Sequence, residues 1–283
     1  MMLTATILTD NRACDAALAA EHGLAVHLQT PHASVLFDTG AGAESLLHNS
    51  RALGIDLAAV THVVLSHGHY DHSGGLAAFL DRNHTARLFL CQEALLPRFR
   101  RRPSPPHKAL GMPCDARAAL KAAGDRVVTV AGPAPIAPGL FVTGPILRIH
   151  AFEEEPSDFC RDVEGLLPDA IPDDQALWAL SAEGPVVLVG CAHAGVINTL
   201  HCVNALAGAA PVALAGGLHL RNAAPERLRR TTEALRQSAL RCVVPCHCTG
   251  ESPTARLAAA LGARCRPGYA GLRLHFGSED VSP

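Results

Sequence analysis

Apolar residues recur along the chain in short runs of strand length, rich in valine, leucine and isoleucine. Runs at 4–8, 24–28, 34–37, 60–65, 87–90, 186–189, 212–215 and 242–244 read as strands. Between them, apolar positions three or four apart mark helices over 43–53, 74–79, 196–206, 225–240 and 253–261. The two periodicities mix without the strict alternation of a doubly wound parallel sheet. The pattern therefore predicts a layered α/β (α+β) sandwich.

The stretch from 97 to 172 breaks this pattern with twelve prolines, from Pro97 to Pro172. Long regular elements are not expected at that density, so the segment reads as an insertion or lid over the core of one domain spanning 1–283. Hydrophobic residues make up 48% of the chain and charged residues 18%, enough apolar material for a sizeable core. Lysine and arginine total 24 against 26 acids, which gives no electrostatic reason to expect a nucleic-acid or membrane partner. The expected partner is a small molecule, with homo-oligomerisation left open. The first residues read as a strand rather than a signal peptide, and no run is long enough to span a bilayer. Ten cysteines without a secretory leader point to reduced thiols and a cytoplasmic protein.

Chemistry concentrates where the strand at 60–65 runs into Ser66-His67-Gly68-His69-Tyr70-Asp71-His72. In extended backbone, residues two apart share a face, so His67 and His69 can converge on one ion. Asp71 and His72 follow at a turn into a helix and can reach a second. Imidazole and carboxylate donors suit zinc first, with manganese or iron as alternatives. Four ligands cannot fill two sites, so remote histidines are required. His193 and His247 each follow a strand, at Gly190-Cys191-Ala192-His193 and Pro245-Cys246-His247-Cys248, and complete the set. A structural zinc knot of Cys242, Cys246, Cys248 and His247 is the rival reading of the last motif, against which its spacing argues. His219 follows another strand and reads as ligand, substrate contact or proton donor. The remaining histidines, including His22, stand alone and read as surface or core residues.

The string Leu65-Ser66-His67-Gly68-His69-Tyr70-Asp71-His72-Ser73-Gly74-Gly75-Leu76 resembles the HxHxDH signature of the metallo-β-lactamase superfamily. Phe37-Asp38-Thr39-Gly40, Asp173-Asp174-Gln175-Ala176-Leu177, Gly190-Cys191-Ala192-His193-Ala194-Gly195, Gly216-Gly217-Leu218-His219-Leu220 and Pro245-Cys246-His247-Cys248-Thr249-Gly250 extend it. Together they are similar to the branch named after a dihydropterin–ribofuranosylaminobenzene phosphate synthase. The resemblance runs over residues 3–277 and implies a four-layer αββα sandwich with a dinuclear metal site. It also implies that Asp38 supports the site by hydrogen bonding, the alternative being an ordinary helix-capping or turn aspartate. In most of the superfamily a bridging aspartate stands where this chain has Cys191. That leaves Cys191 either a thiolate ligand or a small buried residue.

The expected activity is metal-dependent hydrolysis of a phosphate, ester or amide centre, with metal-activated water as nucleophile. Asp71 would orient that water and His219 would protonate the leaving group. A synthase-like transferase using the same metals is the first alternative, and a di-iron redox or metal-sensing protein the second. Arg98, Arg100, Arg101 and Arg102 suit an anionic substrate or, more plainly, a solvated basic loop.

Overall fold

The computed structural model describes residues 1–154 and 158–277, so Glu155 of the acid run 153–155 lies outside the described residues. Two large sheets face each other. The first has seven strands, in spatial order β16 (Arg273–Phe276), β1 (Leu3–Thr9), β2 (Ala25–Gln29), β3 (Ser34–Phe37), β4 (His62–Val64), β5 (Arg87–Leu90) and β8 (Val127–Thr129). The second has six, in order β15 (Cys242–Cys246), β14 (Ala213–Gly217), β13 (Pro185–Val189), β12 (Ala176–Leu180), β10 (Leu140–Val142) and β9 (Ala134–Ala137). A small third sheet pairs β11 (Phe159–Cys160), β6 (Phe99–Arg100) and β7 (Lys108–Ala109).

Side-chain alternation explains the layering. Along β3, Val35 and Phe37 enter the core between the two sheets while Leu36 packs outward. Along β13, Val186 and Leu188 face inward and Val187 and Val189 outward. Both faces of each strand are therefore buried, which is why the strands read as continuous apolar runs. Outside the first sheet lie α1 (Ala43–Ala52), α3 (Leu76–Leu80) and α4 (Cys114–Ala123), burying Leu46, Phe79 and Leu120. Outside the second lie α5 (Val196–Ala207), α6 (Pro225–Gln237) and α7 (Glu251–Leu261), burying Val196, Leu235 and Leu257. The result is the expected αββα sandwich. Among the described residues no helix is long and apolar enough to cross a membrane.

The proline-rich stretch 97–172 is not one insertion. It supplies α4 and β8 to the first half of the sandwich and β9 and β10 to the second. Its prolines separate elements instead of abolishing them: Pro113 caps α4, and Pro135 lies on the edge strand β9, where a missing N–H costs no ladder bond inside the sheet. Only the flanking parts, with β6, β7 and β11, form a cover. β12 and β16, unremarked in the apolar pattern, complete the sheets.

The cover is tied to the core by a buried charge cluster. Arg98 is 1% exposed, with Nε donating to Asp169 Oδ2 at 2.8 Å and Nη1 to Asp173 Oδ2 at 2.9 Å. Nη2 donates to the other Asp173 oxygen. Arg98 is therefore withdrawn from any substrate, contrary to the reading of the arginine run as an anion contact. Arg101 is likewise engaged, its Nε donating to the Gly165 carbonyl at 2.7 Å. Removing one member of such a cluster strands buried charge and costs about 3–5 kcal/mol. Arg98→Ala is expected to lose stability on that scale in urea unfolding, and Arg98→Lys to recover little, since an ammonium cannot serve two carboxylates bidentately. A loss below about 1 kcal/mol would contradict the role assigned to the cluster.

Candidate metal centre

β3 runs parallel to β4, and β13, β14 and β15 run parallel to one another. Their carboxyl ends deliver Asp38, Ser66-His67, Cys191-Ala192-His193, His219 and His247 to one edge of the sandwich. His67 Nε2 lies 2.9 Å from His69 Nδ1, and one nitrogen of His193 joins them with all three within 4.8 Å of one another. Zinc–nitrogen bonds of about 2.0–2.1 Å place tetrahedral ligand nitrogens about 3.3 Å apart, so this trio fits one ion. Alongside, Asp71 Oδ2 lies 3.5 Å from His247 Nε2 and 3.3 Å from His22 Nε2. His72 Nε2 is 3.2 Å from Cys191 Sγ, and Cys191 also groups with His219 and Cys248.

The hydrogen-bond network fixes which nitrogens are free. Asp38 accepts from the Ser66 N–H at 2.7 Å and from the Ser66 hydroxyl at 2.7 Å. Having donated its proton, Ser66 Oγ accepts from His67 Nδ1 at 2.9 Å, which leaves His67 Nε2 with a lone pair. Asp38 also accepts from His72 Nδ1 at 2.7 Å. This is the orienting role the resemblance implied, and not a helix cap: α1 is preceded by Gly42. His247 Nδ1 is spent on Asn11 Oδ1 at 2.9 Å, again freeing Nε2. His69 Nε2, His193 Nε2, His219 Nδ1 and His247 Nε2 are buried without a hydrogen-bond partner. Unpaired buried nitrogens clustered this closely are what a cation-binding set requires.

Charge follows the same logic. Burial, helped by the neighbouring imidazoles, holds His67 and His193 well below the usual histidine range. Burial likewise lowers His69 to about 3 and His247 to about 4, so these rings are neutral donors at pH 7. At His72 burial opposes charge, but the Asp38 and Asp71 carboxylates prevail and raise it to about 9. Asp71 is held low despite its burial, by His72, the hydrogen bond from His22 and His247.

Each loop carrying a donor is held by a buried aspartate. Asp173 Oδ2 accepts from the Gly68 N–H at 2.8 Å, and Asp174 Oδ2 from the Ala194 N–H at 2.7 Å. Asp10 Oδ1 accepts from the His247 N–H at 2.8 Å. Gln175 Nε2 donates to the Leu65 carbonyl at 2.9 Å. The Asp173-Asp174-Gln175 triplet thus props both the β4 and β13 loops. Asp10 and His22 were not picked out by sequence reasoning, since each is an ordinary residue far in sequence from its partners, and Cys248 entered only as a member of the rival zinc knot. The zinc knot is not formed: Cys246 packs in the inter-sheet core, and no described candidate cluster contains Cys242 or Cys246. Cys191, 4% exposed, is buried but also central, facing both halves of the site.

A cleft of about 620 Å³ opens over these residues. His69, Asp71, His193, His219 and His247 line it together with Phe159, the bases Arg100, Lys108, Arg148 and Arg221, and the acids Glu154 and Asp158. Arg148 also donates to the His193 carbonyl at 2.7 Å, and Lys108 reaches the Tyr70 hydroxyl at 3.4 Å. Glu153 is buried away from solvent, accepting from Ile197 and Asn198 N–H at the start of α5 at 3.0 and 2.7 Å. Packing behind the donors is close. A Cβ at Gly190 would fall 2.0 Å from Ser66 Oγ and 2.9 Å from Asp38 Oδ2. Gly190→Ala is therefore expected to displace the Asp38–Ser66–His67 chain and weaken zinc binding by roughly 10–100-fold, read by competition with a chromophoric chelator. Wild-type affinity in a folded Gly190→Ala protein would show that this chain does not orient the site.

Residues 20–136 match the family model of the metallo-beta-lactamase superfamily. The chain is 27% identical over 246 residues to the 7,8-dihydropterin-6-methyl-4-(beta-D-ribofuranosyl)-aminobenzene-5'-phosphate synthase of Methanocaldococcus jannaschii, covering 81% of each. Among solved structures it matches a metal-dependent hydrolase of the beta-lactamase superfamily with a TM-score of 0.82 and 28% identity, over 98% of this chain and 100% of that one. A diphosphatase of the PhnP family shares the fold at a TM-score of 0.55 and 14% identity, over 98% of each chain. By its fold, its sequence motifs and these relatives, the chain is similar to proteins of the metallo-beta-lactamase superfamily.

Proposed function

We propose that this chain is a dinuclear metal-dependent hydrolase acting on a small anionic substrate. The observation that carries the reading is the presence of two donor clusters at one end of the sandwich, His67–His69–His193 and, with His22, Asp71–His247, whose members His69, His193 and His247 each keep a buried nitrogen without a partner. In this reading His67, His69 and His193 hold one divalent ion, and Asp71, His72 and His247 hold the other. Zinc is the first choice for such donors, with manganese or iron as alternatives. Ions held here would supply Lewis acidity and lower the pKa of a bound water toward neutrality.

The chain's own residues do the rest. Asp38 and Asn11 hold His72 and His247 by their Nδ1 atoms and so aim their Nε2 atoms at the site. Asp71, fully ionised at neutral pH, turns one oxygen to the second cluster and orients the nucleophile. His219 lines the cleft beside His193, ring centroids 4.4 Å apart, with Nδ1 unpaired. From there it can pass a proton to a leaving group. Lys108, Arg148 and Arg221 line the cleft and favour a phosphate or carboxylate group on the substrate, while Arg100 is paired with Asp158 at 3.6 Å.

A synthase-like transferase is the second reading, favoured by the named archaeal relative. It would use the same residues to make or break a phosphate or pyrophosphate bond. Elemental analysis of purified protein, followed by a panel of phosphodiesters, pyrophosphates, lactones and amides, tests both. Two equivalents of zinc or manganese with hydrolytic turnover support the first reading; two of iron favour redox chemistry. Inactivity of the metal-loaded protein on the whole panel would count against hydrolysis. Asp71→Asn is expected to lower kcat by roughly 10²–10⁴-fold. His219→Ala is expected to keep both ions and to slow substrates with poor leaving groups more than those with good ones. Equal turnover of wild type and His219→Ala across such a series would remove the proton-donor role.

A further inference from the structure

His22 stands alone in sequence, between β1 and β2, and its side chain is 53% exposed. Its backbone is nevertheless fastened to the metal-binding loop. Leu24 N–H donates to the Asp71 carbonyl at 3.0 Å, and a Cβ on Gly23 would fall 2.7 Å from that same oxygen. On the other side, Glu21 Oε1 accepts from the N–H groups of Ala41 at 2.8 Å and Gly42 at 3.2 Å. The ring is thereby delivered to Asp71, with Nε2 3.3 Å from Oδ2, and to His247, with ring centroids 5.2 Å apart.

We propose that His22 is a ligand of the second metal ion, with Asp71 and His247, and is the exchangeable ligand of that site. The proposal rests on the dinuclear reading given above. Its three donor atoms all lie within 4.8 Å of one another, spaced as ligands around one cation. The electrostatics ask for that cation. With His247 Nδ1 committed to Asn11, its Nε2 presents a lone pair toward a carboxylate oxygen 3.5 Å away. Two acceptors face each other, and a cation between them turns repulsion into coordination. His22 approaches the same oxygen from the cleft side, where it can complete the shell.

Exchangeability follows from what holds each ring. The other nitrogen of His72 is fixed by Asp38, that of His247 by Asn11 and that of His67 by Ser66. Among the described contacts His22 has no such partner, and its ring stands half in solvent. A ligand without an outer hydrogen bond is less basic and less well oriented, so it leaves first. The second ion is therefore the weaker one, and an incoming substrate group can take the place of His22 without disturbing the core.

The test uses the full chain, stripped by chelation and titrated with zinc against a chromophoric chelator. Wild type is expected to take up two ions. His22→Ala is expected to bind the first as wild type does and the second at least about tenfold more weakly. The Co(II) absorption spectrum of the second site should change in parallel. Thermal unfolding of the metal-free forms checks that His22→Ala folds; if it does not, His22→Gln takes its place. Two ions bound by the variant with wild-type affinity would overturn the His22 assignment and leave the dinuclear reading intact. Fewer than two ions on wild type would overturn both.

Discussion

Burial presses an imidazole toward its neutral form unless carboxylates answer it, and the lone pair of a neutral ring has to face something. That constraint organises the whole site. Burial drives His67, His69, His193 and His247 to the neutral form, and the hydrogen bonds of Ser66 and Asn11 choose which nitrogen keeps its proton. His69 Nε2, His193 Nε2, His219 Nδ1 and His247 Nε2 are left buried without a hydrogen-bond partner, the chemistry a cation would satisfy. Asp38 and Asp71 supply negative charge beside them, and Asp38 holds His72 by its Nδ1.

Holding so many polar groups at one edge needs a rigid frame. The frame is the set of parallel strand ends, stiffened by buried aspartates that accept backbone N–H bonds from the loops: Asp173 from Gly68, Asp174 from Ala194, Asp10 from His247. The backbone is also bent to suit the site. Asp38, Ala192, His219 and His247 all have positive φ, between 48° and 58°, a conformation costly for residues with a Cβ and found where surrounding structure enforces it. Because Asp173 also pairs with Arg98, the cover and the His67–His69 loop share one charge cluster. A change in the cover therefore reaches the metal site through a single carboxylate.

Much of this was legible from residue order. Strands β1 to β5 and β13 to β15 follow apolar runs to within a few residues, because strands buried on both faces leave an unbroken apolar signature. The proline-rich stretch misled for the opposite reason: β9 and β10 are short, with Pro135 in β9 and Pro138 between the two, yet both pair into the second sheet, where β9 with its proline takes the edge. Arg98 read either as an anion contact or as part of a solvated basic loop and is neither, since arginines in a row carry no mark of which one will be buried.

The sequence by itself determined the sandwich, the His67–His69–Asp71–His72 loop and the two strand ends that carry His193 and His247. Unbroken apolar runs and metal-ligand chemistry are local properties, written in neighbouring residues. Only the tertiary structure decided that His22 reaches Asp71, that Cys191 meets Cys248 and His219, and that Asp10 and Asp173 hold loops remote from them in the chain. Those relations depend on which strand ends lie side by side, and adjacency of strands is fixed by packing of the two sheets, not by any residue's immediate neighbours.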